Sequence, residues 1–276
     1  MKLIFGSITV ALALGLGISS HAAGVTGQWE FNGDFSASIG IALQPQGIAA
    51  SESVFGTTTA LGVPDIGGQV AQIMRFPAMP TSADGYKMFP NAAANGSTAD
   101  VNQYTVIMDI LFPASSTGYR ALFQTAAPNN NDADWFVNPA NGLGIQGAYN
   151  GNLIPDVWHR IALVVDLEEA DAGKRYASYI DGTLAGYSPS GTPGGRFAVW
   201  PADTGNPSWI FSDEDGETAP GYVNSVQFCD FALTAEQIAL LGGPSAAGIP
   251  VIPEPSAGLL LLAGAGLLAR RAWHRK

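Results

Sequence analysis

The sequence predicts an all-β protein built of many short antiparallel strands, with an apolar segment at each end. Three observations carry this expectation. The 276 residues include 34 glycines and 18 prolines but only 12 lysines and arginines, a composition that favours strands punctuated by turns over long helices. In residues 104–112, Tyr104, Val106, Met108, Ile110 and Phe112 share one face by the two-residue period, with Thr105 and Asp109 on the other, as in a strand covering a core. Asp181-Gly182 supplies the positive φ angles of a tight hairpin turn, so residues 176–180 should pair with 183–187.

Charge is unevenly placed. Five of the 12 basic residues (Lys2, Arg270, Arg271, Arg275 and Lys276) lie in the terminal segments, whereas Glu254 is the only one of 23 acidic residues in the tail. The body is therefore more acidic than the overall net charge of −11. Such a surface repels phosphate backbones and anionic lipid, which argues against nucleic-acid binding and leaves divalent cations or neutral sugars as ligands. A single cysteine, Cys229, excludes an intrachain disulfide, and its place in the strand-like run Val-Gln-Phe-Cys-Asp-Phe makes it a small core residue rather than a reactive thiol.

The ends read as targeting segments. Lys2, an apolar run from 3 to 18 and the exit Ser-Ser-His-Ala-Ala have the order of a secretory signal peptide over residues 1–22, with Ser20 and Ala22 at the small positions and cleavage after Ala22; an uncleaved anchor is the alternative. At the other end, Pro253-Glu254-Pro255 precedes an apolar run from Ser256 to Ala269 and a basic end beginning Arg270-Arg271. As a helix that run spans roughly 21 Å, short against a hydrocarbon core of about 30 Å. Trp273 and snorkelling arginines extend its reach, and the basic cluster keeps the extreme C-terminus cytoplasmic. Residues 251–276 resemble the PEP-CTERM sorting signal. That resemblance implies recognition by an exosortase, transient anchoring in the inner membrane by a short transmembrane helix, removal of the tail, and delivery to the cell surface or extracellular matrix of a Gram-negative bacterium. A plain membrane anchor would not require Pro-Glu-Pro.

Between the ends, runs rich in β-branched and aromatic residues, bounded by Gly, Pro, Asn or Asp, predict strands at 28–31, 72–76, 104–112, 120–125, 134–137, 144–147, 158–166, 176–180, 183–187, 209–211 and 222–231. Residues 41–70, poor in charge, read as loops with weak strands. Trp158-His-Arg-Ile161 followed by Tyr179-Ile-Asp-Gly182 is similar to the laminin-G-like, concanavalin A-like family. Gly27-Gln-Trp-Glu-Phe-Asn, Gly142-Leu-Gly-Ile-Gln-Gly and Ser225-Val-Gln-Phe with Phe231-Ala-Leu-Thr-Ala-Glu-Gln-Ile extend the resemblance. It implies one antiparallel β-sandwich jelly roll over residues 24–248, closed by a strand and a short helix. Thr234 and Gln237 give that helix a capping-box start.

Two loops concentrate oxygen ligands suited to Ca²⁺: residues 129–134, with Asp132 and Asp134, and residues 213–217, with Asp213, Asp215 and Glu217. Ordinary solvated turns explain both loops without a metal. The Glu-x-Asp-x-x-Glu strand that retaining glucanases of this fold carry is absent, and Glu168, Glu169 and Asp171 read as a solvated turn, so no catalytic residues are assigned. His159 is the only histidine outside the terminal segments. It shares a face with Ile161, Leu163 and Val165, which points to a satisfied, partly buried residue rather than a catalytic one. Trp135, Trp200, Trp209 and Tyr149 are candidates for stacking on sugar rings, although core packing accounts for most tryptophans. The expectation is a non-enzymatic surface module binding a polysaccharide or another matrix component, assisted by Ca²⁺. A glycoside hydrolase acting on exopolysaccharide and a structural coat protein without a small ligand are the alternatives.

Overall fold

The described residues, 24–125, 133–188, 191–201 and 206–252 of the computed structural model, form fifteen strands, the longer of them marked by alternation of apolar and polar side chains. In chain order these are β1 (Val25–Trp29), β2 (Gln44–Gln46), β3 (Val54–Thr57), β4 (Gln72–Phe76), β5 (Gly85–Met88), β6 (Gln103–Leu111), β7 (Arg120–Gln124) and β8 (Asp134–Val137). They continue with β9 (Leu143–Ile145), β10 (Ala148–Asn150), β11 (His159–Asp166), β12 (Tyr176–Ile180), β13 (Thr183–Tyr187), β14 (Ser208–Ile210) and β15 (Gly221–Cys229). Helix α1 (Ile48–Glu52) lies between β2 and β3, and α2 (Ala235–Leu241) follows β15.

The strands form two antiparallel sheets. The first runs β13-β12-β11-β6-β15-β4-β3, with β1 as its eighth strand on the second half of β15. The second runs β10-β9-β8-β7-β14-β5-β2. An all-β sandwich of this kind is consistent with the expected jelly roll. One apolar layer fills the space between the sheets: Tyr104, Val106, Met108 and Ile110 from β6 meet Leu122, Trp135, Val137 and Leu143 from the second sheet. Trp135 is fully buried there, and its indole N–H donates to Ser178 Oγ (3.1 Å).

A second apolar layer covers the outer face of the first sheet. Ile107, Ala162, Val164, Ala177 and Cys229 pack under Ile238 of α2 and Ile249. The Thr234 side chain caps α2 and Gln237 returns the bond, completing the expected capping box. Beyond α2 the chain is strapped to the sheet. Asp109 and Arg160, opposite each other on β6 and β11, form a buried bidentate pair at 2.7 Å for both contacts. Two further Arg160 donors go to Leu241 O (2.7 Å) and Gly248 O (3.2 Å), Ser245 N–H donates to Asp109 Oδ2 (3.3 Å), and Gln28 Nε2 donates to Ile249 O (3.0 Å). Asp109, placed by alternation on the face opposite the core, thus anchors the C-terminal segment.

The 176–180 and 183–187 hairpin is present with Asp181 and Gly182 at φ of 48° and 81°. Residues 41–70, read as loops with weak strands, hold β2, α1 and β3, while β5 and β10 stand where no strand was expected. Among the described residues no helix is long and apolar enough to cross a membrane. The expected helix at 256–269, the sorting residues Pro253, Glu254, Pro255, Arg270 and Arg271, and the cleavage position Ala22 lie outside the described residues.

Candidate functional site

The outer face of the second sheet carries most of the unassigned chemistry. Cross-strand register sets Asp134, Gln124, Trp209, Lys87 and Gln44 in one row across β8, β7, β14, β5 and β2. Their strand neighbours Trp135, Phe123, Ile210 and Tyr86 belong to the inner core, so alternation turns this row outward. A parallel row consists of Tyr149, Gly144, Phe136 and Ala121. Gly144 has no substitute in it, because an added Cβ would stand 1.8 Å from Ala148 O. Tyr119 bridges the row, with its ring centroid 6.1 Å from Phe136 and 5.8 Å from Tyr149.

The two acidic loops, separate in sequence, converge beside these rows. Strand β7 lies between β8 and β14, so the start of β8 and the segment after β14 flank the same stretch of sheet. Ligand atoms of Asp134, Asp213 and Glu214 fall within 4.8 Å of one another. Asp134 and Asp213 are buried and Glu214 is half-buried. Gln124 Nε2 donates to Glu214 Oε2 (2.9 Å), while Asp213 Oδ2 accepts the backbone N–H groups of Asp215 (2.9 Å) and Glu217 (2.8 Å). Burial pushes the Asp213 carboxyl above the usual carboxylate range, against the pull of those backbone donors. Burial, then the charges of Asp213 and Asp215, raises Glu217. Tyr149 is pushed up to about 12 by burial, then by Tyr119, Glu217 and Asp134.

Three carboxylates at this spacing make an all-oxygen donor set suited to a hard cation such as Ca²⁺, which would offset the mutual repulsion. Of the sequence-predicted ligands, Asp134 and Asp213 belong to the group. Asp215 and Glu217 are exposed and fall outside it, and Asp132 lies outside the described residues. Glu214 was not singled out by sequence. Its neighbours in Asp213-Glu-Asp-Gly-Glu217 have the same chemistry, and only the course of the chain after β14, which brings Glu214 to Gln124 on β7, selects it.

The other candidates resolve into structural roles. His159 is buried, accepts the Ile154 N–H at Nε2 (3.0 Å) and therefore donates from Nδ1 to Asp181 Oδ2 (2.7 Å). Asp181 Oδ1 also accepts the Arg160 N–H (2.9 Å), so this carboxylate ties the hairpin turn to β11. Glu168 accepts Ser97 N–H and Oγ–H, and Asp171 caps the 3₁₀ turn Ala172–Lys174, as solvated turn chemistry requires. Cys229 is buried and its thiol is raised far above neutrality, chiefly by burial. Among the four aromatic candidates, Trp135 is core, Trp209 is nearly covered with Lys87 Nζ 5.4 Å from its ring centroid, Tyr149 is half-exposed and Trp200 is exposed.

No curated protein matches the sequence. Among solved structures, domain 4 of AbnA, a GH43 extracellular arabinanase from Geobacillus stearothermophilus in complex with arabinotriose, is similar with a TM-score of 0.51 and 16% identity, covering 80% of this chain and 100% of that domain. The binding domain of Paraclostridial Mosquitocidal Protein 1 has a TM-score of 0.49 and 9% identity over 79% of this chain and 51% of that one. Trypanosoma rangeli sialidase has 0.44 and 13% over 61% of this chain and 26% of its own length. At 16% identity the arabinanase domain speaks to the fold alone. The PEP-CTERM protein-sorting motif matches residues 251–276, which indicates an exported protein held at the membrane by its C-terminus before exosortase processing. The description "Concanavalin A-like lectin/glucanases superfamily" matches residues 95–239, more than half of the 276 residues. The chain belongs to the concanavalin A-like lectin/glucanases superfamily and carries a PEP-CTERM sorting tail.

Proposed function

We propose that this exported protein binds a polysaccharide of the cell surface or extracellular matrix of a Gram-negative bacterium, without cleaving it, through the outer face of the second sheet. In this reading Ca²⁺ is held by Asp134, Asp213 and Glu214. The observation that carries it is that a three-carboxylate group and the half-exposed Tyr149 ring, with Tyr119 against it, share the outer face of one sheet. Aromatic faces stack on the C–H faces of sugars, and a bound cation fixes the acidic loop that borders them. The arrangement suits ion binding better than glycosidic cleavage. A glycosidase must bring two carboxyl groups to the scissile bond, whereas Asp134 and Asp213 are buried and Asp213 is committed to two backbone amides. The similarity to an arabinanase domain solved with arabinotriose lends the fold a precedent for sugar binding.

Affinity electrophoresis of the purified protein through a panel of polysaccharides, with Ca²⁺ and with chelator, tests this reading. Retardation by at least one polysaccharide, weakened by chelator and without release of reducing ends, is the expected result. Release of reducing ends would replace it with the hydrolase reading. A folded protein that no polysaccharide retards in either condition would replace it with a structural coat.

A further inference from the structure

A cavity of about 340 Å³ opens on the opposite side of the sandwich, at the outer face of the first sheet, lined by Arg75, Pro77, Ala78, Pro113, Pro220 and Tyr222, with Ser115 at its edge. Alternation explains its polar centre. Met74, Phe76 and Val223 point into the inter-sheet core, so Arg75 on β4 and Tyr222 on β15 point outward. They are direct cross-strand partners, which brings their side chains side by side. Tyr222 leans its ring on the small apolar cluster of Ile73, Leu111 and Trp158, and is held half-buried.

Arg75 stands apart from the other cations. Among the described residues Arg160 pairs with Asp109 and Lys174 with Asp171. Lys87, Arg120 and Arg196 lie against aromatic rings, and Arg175 donates to Glu169 O and Gly191 O. The Arg75 guanidinium has no hydrogen bond, ion pair or ring contact among the described residues, although the chain carries 23 acidic residues. A guanidinium without an anion among the described residues of a strongly acidic protein, at the wall of a cavity, is a five-donor fork shaped for a carboxylate.

The walls are preformed. The three prolines come from the chain after β4, the chain after β6 and the chain before β15, and each has a fixed φ. Ser116 N–H donates to Pro113 O (2.8 Å) and Ser116 Oγ–H to Pro220 O, which ties two of these segments together. On the other side, Met79 N–H donates to Thr218 Oγ1 (2.7 Å) and Thr218 Oγ1–H to Met79 O (2.9 Å), which fixes the Pro77-Ala78 wall. The volume is at the lower end of the roughly 300–1,000 Å³ typical of small-molecule sites, room for one ring-sized ligand.

We infer that this cavity binds a carboxylated sugar unit, a hexuronate, with Arg75 taking the carboxylate and Tyr222 and the prolines packing on the ring. The site lies on the other sheet from the three-carboxylate group and stands independently of the reading above. It gives the protein a second binding face that selects for negative charge, opposite in sign to the acidic one.

The test is calorimetric titration of the full chain in detergent, with chelator present so that any cation-dependent binding is silent. D-Glucuronate and D-galacturonate are the probes, with D-glucose, acetate and inorganic phosphate as controls. The expected result is uronate binding that weakens as salt rises, absent for glucose and weaker for acetate and phosphate. Arg75→Gln lowers uronate affinity by about tenfold or more, and Arg75→Lys falls between, because it keeps the charge and loses the fork. Arg75 is exposed, so both variants fold as the wild type does, which their melting temperatures check. Equal binding of glucose, equal binding of acetate or phosphate, unchanged affinity in Arg75→Gln, or no uronate heat would each overturn the inference.

Discussion

Two residues show how differently buried charge is used in this molecule. Arg160 makes four hydrogen bonds, with its fork on Asp109 and two further donors on Leu241 O and Gly248 O. Arg160→Met should therefore cost about 3–5 kcal/mol in urea unfolding, because it strands the Asp109 carboxylate and two carbonyls at once. A loss below about 1 kcal/mol would mean that the pair behaves like a surface salt bridge. Asp213 is held in the opposite balance, raised by burial despite its backbone donors. A carboxyl whose folded value lies above its unfolded value takes up protons on folding, so its contribution to stability improves as pH falls through the folded value and is lost as pH rises. In chelator, Asp213→Asn should be at least as stable as the wild type near pH ~7, with the difference shrinking as the ordinary carboxylate value of about 4 is approached. Added Ca²⁺ should raise the melting temperature of the wild type and not of the variant. Equal Ca²⁺ responses would remove Asp213 from the ligand set.

Helix α2 and the strap behind it act as one element. The helix has a single buried residue, Ile238, and is too short to persist alone, so the strap contacts at Ser245, Gly248, Ile249 and Pro250 help keep it seated. Ending the chain after Ile252 should leave the melting temperature unchanged, whereas ending it after Gly243 should lower it by several degrees. Circular dichroism melts of the two truncations decide this. The capping box was legible because Thr234 and Gln237 stand at a fixed local spacing, and the hairpin because Asp181-Gly182 forces its turn. Long strands such as β6 were legible by alternation. Gln44-Pro45-Gln46 has no apolar residue to alternate, and Gly85-Tyr-Lys-Met88 is only four residues long, so β2 and β5 exist through their neighbours rather than through their own pattern. The meeting of Asp134 with Asp213 and Glu214 depends on which strand separates β8 from β14, a fact of sheet order that no local spacing encodes.

Across the whole molecule, the two sheets have divided their outer faces. One presents acids and tyrosines; the other is shared between the helix with its strap and a proline-walled cavity with Arg75 on its wall. The strap also fixes a length. Among the described residues its last hydrogen bond is the one from Gln227 Nε2 to Pro250 O (3.2 Å), and the apolar run of the tail begins at Ser256. Six residues, even fully extended, reach only about 20 Å. Until the tail is cut, the folded body is on a short leash: the strapped side stays close to the bilayer surface, where long polymers have least room. Release from that leash would make both faces equally accessible, so cutting the tail would change what the protein can reach without changing its fold.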